Sequence, residues 1–212
     1  GNPGFGVVNW IDPSRSAAGE MVALIAKDLG VPLTGPLAEA LYTALATDTG
    51  FFSFSGTTAV CLELVAEMIR GGLDVGAAGA RIKNQWSMNR VRLWSEVLSS
   101  LDVCCHGQVG LIRVSQEMLT RTGTSSEDCE GLINNALRIK GVAAALLVRE
   151  LPEGGVKFSL RSVGPVNIQT VAKTFGGGGH KNASGGKLNM PLVEAEAVLA
   201  DALCKVVEPL RG

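Results

Sequence analysis

No Asp or Glu occurs between Gly154 and Val193, a stretch that holds Lys157, Arg161, Lys173, Lys181 and Lys187. A second window without acids, Val75 to Ser95, holds Arg81, Lys83, Arg90 and Arg92. The chain as a whole nevertheless carries a formal charge of -1. That balance excludes the uniformly basic surface that binds duplex nucleic acid indiscriminately, and it suits a small anionic ligand gripped by a few aimed groups. Aromatic residues are scarce at 5%, which argues against long stacking platforms for single strands. No apolar run approaches the roughly 20 residues needed to span a bilayer, and the start lacks a signal-peptide pattern. A soluble, cytoplasmic chain with no membrane partner is therefore expected. Five cysteines, an odd number with no C-x-x-C, read as reduced core residues and not as a disulfide framework or zinc site. With only His106 and His180 as imidazoles, a metal site would be mainly carboxylate. No P-loop, dinucleotide fingerprint or Ser-His-Asp order is present.

What is there is glycine, concentrated in FGGGGHKNASGG from Phe175 to Gly186. A helix-like run, VNIQTVAKTF, precedes it, and one glycine would suffice to close that helix in a left-handed cap. Each further glycine forfeits backbone entropy, roughly 0.5 to 1 kcal/mol against alanine, so an ordered run of four calls for an offsetting gain. Close approach of the main chain to a ligand is one such gain; a flexible surface loop, or tight packing against another backbone, is the plain alternative. Consecutive N–H groups of such a turn can form a concave anion site, and His180, Lys181, Asn182 and Ser184 come directly after them.

The 212 residues are enough for one large or two small domains. The opening GNPGFG lacks a methionine, and the β-rich GVVNWID from Gly6 to Asp12 reads as a buried strand. Helices are expected at about Ser16 to Leu29, from Pro36 to the Thr47–Gly50 stop, over TTAVCLELVAEMI, over DVGAAGARI, and from Ser87 to Leu101. Their apolar surface exceeds what one strand can cover, so this half reads as part of an α/β domain with further strands upstream. From Asp102 the pattern changes. Two short strands flank His106-Gly107, and a helix is expected near Thr124, with Ser125 and Asp128 as a capping box. A hairpin, GVAAALLVREL and VKFSLRS, turns at Pro152–Gly155, and a last helix runs from Leu192 to Val207. The boundary falls at residues 101 to 102, with the preceding helix as connector.

Three further residues stand out. Asp48 sits at the C-terminal end of its helix, where an acid opposes the macrodipole by roughly 0.3 to 1 kcal/mol. A bound cation would reverse that sign, whereas a turn aspartate bonded to Gly50 is the plain alternative. Arg161 and Ser162 close a hairpin strand; the guanidinium fork matches a phosphate and the serine adds a donor.

ATDTGFF around Asp48, IKGVAAALLVRE, VKFSLRS and VNIQTVAKTFGGGGHKNASGG, in this order and spacing, resemble the DHH/DHHA1 phosphoesterases, nearest the nanoRNase branch of bifunctional oligoribonucleases and pAp phosphatases. The resemblance implies an α/β chain: residues 1–101 as the C-terminal portion of a DHH domain with its connector helix, and 102–212 as a DHHA1 substrate domain. It implies Mn²⁺, two ions in the intact family enzyme, with Mg²⁺ as a substitute, and Asp48 as one metal ligand. It further implies His180 at the scissile phosphate and Arg161, Ser162, Gly177, Gly178 and Gly179 on the substrate, a short single-stranded oligonucleotide or nucleotide 3′-phosphate. A homodimer is a further expectation. GNPGFG matches the segment directly after the family's Asp-His-His motif, but that motif and two other aspartate motifs are absent, so the chain by itself is expected to be inactive. A non-catalytic nucleotide-binding module, and a polyphosphatase or cyclic-dinucleotide phosphodiesterase on the same scaffold, stay open.

Overall fold

The computed structural model describes residue 4, residues 6–54 and residues 56–207, and divides into two units, Gly1–Gln85 and Trp86–Gly212.

Among the described residues the first unit is helical: α1 (Ala18–Asp28), α2 (Gly35–Asp48), α3 (Ala59–Arg70) and α4 (Val75–Lys83). Local chemistry sets the starts. Thr58 accepts from the Cys61 N–H at the head of α3, Asp74 accepts from the Ala77 N–H at the head of α4, and Pro36 lies in the first turn of α2. Ala23, Leu41, Leu45, Leu64 and Met68 pack as one buried cluster. The expected strand from Gly6 to Asp12 does not form; the segment is bends and coil, and Val7 and Val8 are exposed. A strand needs a ladder partner for its N–H and C=O groups, and no described residue of this unit supplies one. Of the opening GNPGFG, residues 1–3 and 5 lie outside the described residues.

The second unit is built on a sheet. In chain order come α5 (Met88–Ser99), β1 (Asp102–Cys104), β2 (Val109–Val114), α6 (Gln116–Thr122), a 3-10 turn Ser126–Cys129, α7 (Ile133–Ala136), β3 (Ala144–Glu150), β4 (Val156–Ser162), α8 (Ile168–Thr174), β5 (Gly178–His180), β6 (Ala183–Leu188) and α9 (Leu192–Val207). The strands lie in the order β1-β2-β3-β4-β6-β5; β2 and β3 run parallel and the other neighbours antiparallel. The expected hairpin is β3–β4. The Ser125–Asp128 capping box is also present, but it heads only the short 3-10 turn, and the expected helix near Thr124 is replaced by α6 before it and α7 after it.

The period of two along each strand sorts side chains into two cores. Leu111, Leu146, Phe158 and Leu160 join Ile168, Val171, Leu199 and Leu203 of α8 and α9 on one face. Ile112, Val114, Ala145 and Leu147 join Leu93, Leu119 and Ile133 of α5, α6 and α7 on the other. Helix α5, expected as a connector, is thus part of this second core, and the division of the chain into units falls between Gln85 and Trp86.

The cysteine expectation needs correction. Cys61 and Cys129 are free and buried, as expected, and Cys104 is free, but Cys105 pairs with Cys204 in a disulfide with Cα atoms 5.6 Å apart. The partners are 99 residues apart in sequence, a separation from which spacing gives no signal. No helix among the described residues is long and apolar enough to cross a membrane.

Candidate functional site

The glycine run is not a flexible loop. Gly176, at φ 70°, caps α8: its N–H bonds to Lys173 O at 3.1 Å, and that of Gly177 to Ala172 O at 2.8 Å. This is the paired pattern that closes a helix through a left-handed residue. The chain then enters β5 as an edge strand on β6. A Cβ on Gly177 would strike the Gly185 carbonyl, and one on Gly179 would lie 2.5 Å from Ala183 O. Backbone packing therefore demands Gly177 and Gly179, and the left-handed φ of the cap demands Gly176. Gly178 is under no such demand: a Cβ there would meet nothing within 4 Å.

The next turn is pinned from inside. Ile168 N–H bonds to Lys181 O at 2.9 Å and Ser162 N–H to Asn182 O at 3.2 Å. Asn182 Nδ2 donates to Ser162 Oγ at 2.7 Å, and Ser162 Oγ donates to Val166 O at 2.9 Å. Ser162 is buried, and its one proton is committed to Val166. Gln169 Nε2 donates to Gly179 O, and Ser184 Oγ to His180 O at 2.7 Å, which fixes the two ends of β5.

Register decides which side chains share a face. Arg161 stands opposite Ala183, and Ala183 opposite His180; Ser159 stands opposite Gly185, and Gly185 opposite Gly178; Lys157 stands opposite Lys187. Residues directly opposed on neighbouring strands point the same way. At about 4.8 Å per strand spacing, the Arg161 and His180 backbones lie about 10 Å apart on one face. On this face lies a hollow of about 430 Å³, bordered by Lys157, Ser159, Arg161, Gly178, Ala183 and Lys187 and floored by Gly185; His180 is not among its lining residues. Helices α5, α6 and α7 pack over β2 and β3 on this side, and α7 also reaches β4. An adjoining hollow of about 290 Å³ shares Lys157, Ser159 and Arg161 and adds Arg149 and the Ser126–Gly131 turn.

The first hollow has no acidic residue in its lining, whereas the adjoining one includes Glu127 and Glu130. Arg161 is half-buried and donates from Nη1 to its neighbour's carbonyl, Leu160 O, at 3.0 Å; among the described residues it has no acidic partner. Arg149 and Lys157 have no ion pair among them either, and Lys187 meets Glu153 at 3.9 Å in a solvated position. Arg113, half-buried in the same unit, is by contrast paired with Glu196. An unmatched guanidinium held above a floor of small residues can take an anion close to the main chain. Reasoning from sequence passed over Lys157, Ser159, Gly185 and Arg149 as site residues. The signal for the first two was the alternation within VKFSLRS, which sends Lys157, Ser159 and Arg161 to one side.

Asp48 belongs to the other unit, as the exposed last residue of α2, with no hydrogen bond or ion pair among the described residues; the bond to Gly50 that a turn aspartate would make is absent. A divalent ion of the Mn²⁺ or Mg²⁺ class takes about six ligands. Among the described residues no group of three or more His, Cys, Asp and Glu within ligating reach includes Asp48. One carboxylate does not make such a site.

Comparison with known proteins adds a family to this geometry. Residues 111–208 match the model of the DHHA1 domain. The bifunctional oligoribonuclease and PAP phosphatase NrnA of Thermus thermophilus is 33% identical over 187 residues, covering 88% of this chain and 56% of that protein. The Bacillus subtilis protein of the same name is 29% identical, covering 95% of this chain and 64% of that one. The crystal structure of an exopolyphosphatase-related protein from Bacteroides fragilis superposes with a TM-score of 0.89 at 32% identity, over 98% of this chain and 61% of that one. The chain thus spans about three fifths of the length of each.

Proposed function

Residues 111–208 match the DHHA1 domain, and from that premise we propose that the sheet unit holds the phosphate groups of a short oligonucleotide or a nucleotide 3′-phosphate for a phosphohydrolase reaction. The observation that carries the reading is the register: Arg161 and His180 share one face, and beside Arg161 lies a glycine-floored hollow that has no carboxylate among its lining residues. Arg161 grips phosphate oxygens through its fork, and Lys157 adds charge from the β4 side. Gly178, whose lack of a side chain answers to no packing demand, lets the phosphate approach the β5 main chain, and the neighbouring Gly177 and Gly179 keep that chain in place. His180 donates from the far edge toward the phosphate being attacked. Ser162 acts behind the face by holding the Asn182 turn. Asp48 is proposed as one carboxylate toward a divalent ion that the described residues do not otherwise hold. For this reason binding, not turnover, is what this chain's own residues deliver.

Calorimetry with pAp, a dinucleotide, a cyclic dinucleotide and a short polyphosphate tests the reading. Arg161→Ala is expected to cost about 1.5 to 3 kcal/mol of binding, the worth of a hydrogen bond to a charged group. Lys187→Ala, at a solvated position, is expected to stay under about 1 kcal/mol. Equal losses for the two variants would overturn the role of Arg161, and preference for polyphosphate would move the substrate class. Release of mononucleotides from the dinucleotide by the pure chain with Mn²⁺ would refute the restriction to binding.

A further inference from the structure

Away from the phosphate face, three sulfurs meet at the turn between β1 and β2. Gly107 N–H bonds to Cys104 O at 3.1 Å, with Cys105 at φ 53° and His106 at φ 57° between them. Two successive left-handed residues make a type I′ turn, whose usual occupants are Asn, Asp and Gly. Cysteine lacks the features that ease this conformation, which costs roughly 1–2 kcal/mol per residue. The reversal does something a continuing strand would not: it sets Cys105 Sγ 3.5 Å from Cys104 Sγ, whereas strand neighbours point to opposite faces. Helix α9 delivers Cys204 to the same place, and the ligating atoms of Cys104, Cys105 and Cys204 all lie within 4.8 Å of one another. All three side chains are half-buried.

We propose that Cys104, Cys105 and Cys204 form a site for a thiophilic cation of the Zn²⁺ class when reduced, and that the Cys105–Cys204 disulfide is the alternative, metal-free state of the same cluster. Three thiolates on one tetrahedral ion at Zn–S distances of about 2.3 Å stand about 3.8 Å apart. The Cys104–Cys105 separation of 3.5 Å is already close to that. Soft sulfur ligands select zinc or copper(I) over magnesium or calcium. The surroundings favour a cation as well. Asp102, Glu196 and Asp201 place negative charge around Cys104. Metal binding displaces one proton from each thiol into solvent. Oxidation instead removes two protons and two electrons from Cys105 and Cys204 to a small-molecule disulfide, which leaves as two thiols. Either state ties the β1–β2 turn to α9.

The test is zinc binding by the full chain, reduced and alkylation-checked, in competition with a chromogenic chelator, with native mass spectrometry for stoichiometry. One Zn²⁺ per reduced chain is expected, and Co²⁺ in its place should give thiolate-to-metal absorption. Cys104→Ser leaves the disulfide pair intact and should weaken binding by more than the roughly 10- to 100-fold that loss of an outer-shell partner costs. Cys61→Ser, in the other unit, should change nothing. Failure of the reduced chain to bind zinc would overturn the proposal, as would undiminished binding by Cys104→Ser or by the chain oxidised with a small-molecule disulfide.

Discussion

The two units obey the same rules of helix and turn but close their cores by different means. In Trp86–Gly212 the sheet takes helices on both faces, and fully buried Phe158, Leu146, Leu160 and Ile112 sit between layers. In Gly1–Gln85 the described helices have no sheet, and Val22 and Ile25 of α1, Leu29 at its C-cap, and Leu62 and Ile69 of α3 stay exposed. An apolar stripe on a helix specifies that it be covered, and leaves open by what. The sheet unit therefore rests on layered apolar area, whereas the helical unit depends more on a few polar contacts that fix where its elements meet.

The largest expected effect tests that contrast at Glu20. This carboxylate is buried and accepts from Ser16 N–H at 3.0 Å, Thr58 Oγ1 at 3.0 Å and Arg15 Nη1 at 3.1 Å, linking α1 to the start of α3. Burial pushes its pKa up, but the hydrogen bonds from Ser16, Arg15 and Thr58 together outweigh it and hold the group below the ordinary glutamate value. A carboxylate lowered in the folded state contributes stability that is complete above its unfolded pKa and is lost as the pH falls from there through the folded value. Glu20→Gln should cost roughly 1.5 to 3 kcal/mol at neutral pH, and less in acid, where the parent has lost the same contribution. Urea midpoints of parent and variant at both pH values check it. A parent and variant that unfold together at neutral pH would break the contrast.

How much of this was legible beforehand depends on how local each cause is. The β3–β4 hairpin was readable because Pro152–Gly155 stands between two β-rich runs, and α9 because its apolar spacing is long and uninterrupted. Strand β6 was not: ASGGKL is poor in strand formers, and its ladder with β4, tight enough that a Cβ on Gly185 would lie 2.6 Å from Phe158 O, is what makes it extended. The strand expected at Gly6–Asp12 failed for the converse reason, β-forming residues without a ladder. At the site, Arg161 and His180 were visible as residue types in a pattern. That they share a face with Lys157, Ser159 and Gly185 depends on the β4–β6–β5 register, which no single stretch encodes.

The glycine run offers a sharper test inside the sheet unit. Gly177→Ala forces a methyl group onto the Gly185 carbonyl and should destabilise by about 1 to 3 kcal/mol, as overpacking does. Gly178→Ala meets open space and should shift stability by no more than about 0.5 kcal/mol. Phosphate-ligand binding is expected to fall in Gly178→Ala even so, because the added methyl group occupies the approach to the β5 main chain. Thermal melts beside calorimetry separate the two glycines. Equal stability losses would mean that packing alone accounts for the whole run.

The smallest effect has the opposite sign and belongs to the helical unit. Asp48 ends α2 exposed and unpartnered among the described residues, and Lys or Arg is missing from the last turn of that helix. Its charge therefore meets the negative end of the helix dipole with no compensation. Asp48→Asn keeps the shape, removes the charge and should stabilise by about 0.3 to 1 kcal/mol at low ionic strength. The gain should shrink as salt screens the dipole. A charge that costs stability where it stands adds nothing to the fold of this unit. Urea titrations of parent and Asp48→Asn at low and high salt decide it. A loss of stability in the variant would mean that Asp48 already has a structural role, and would remove the reason for reading it as a metal carboxylate.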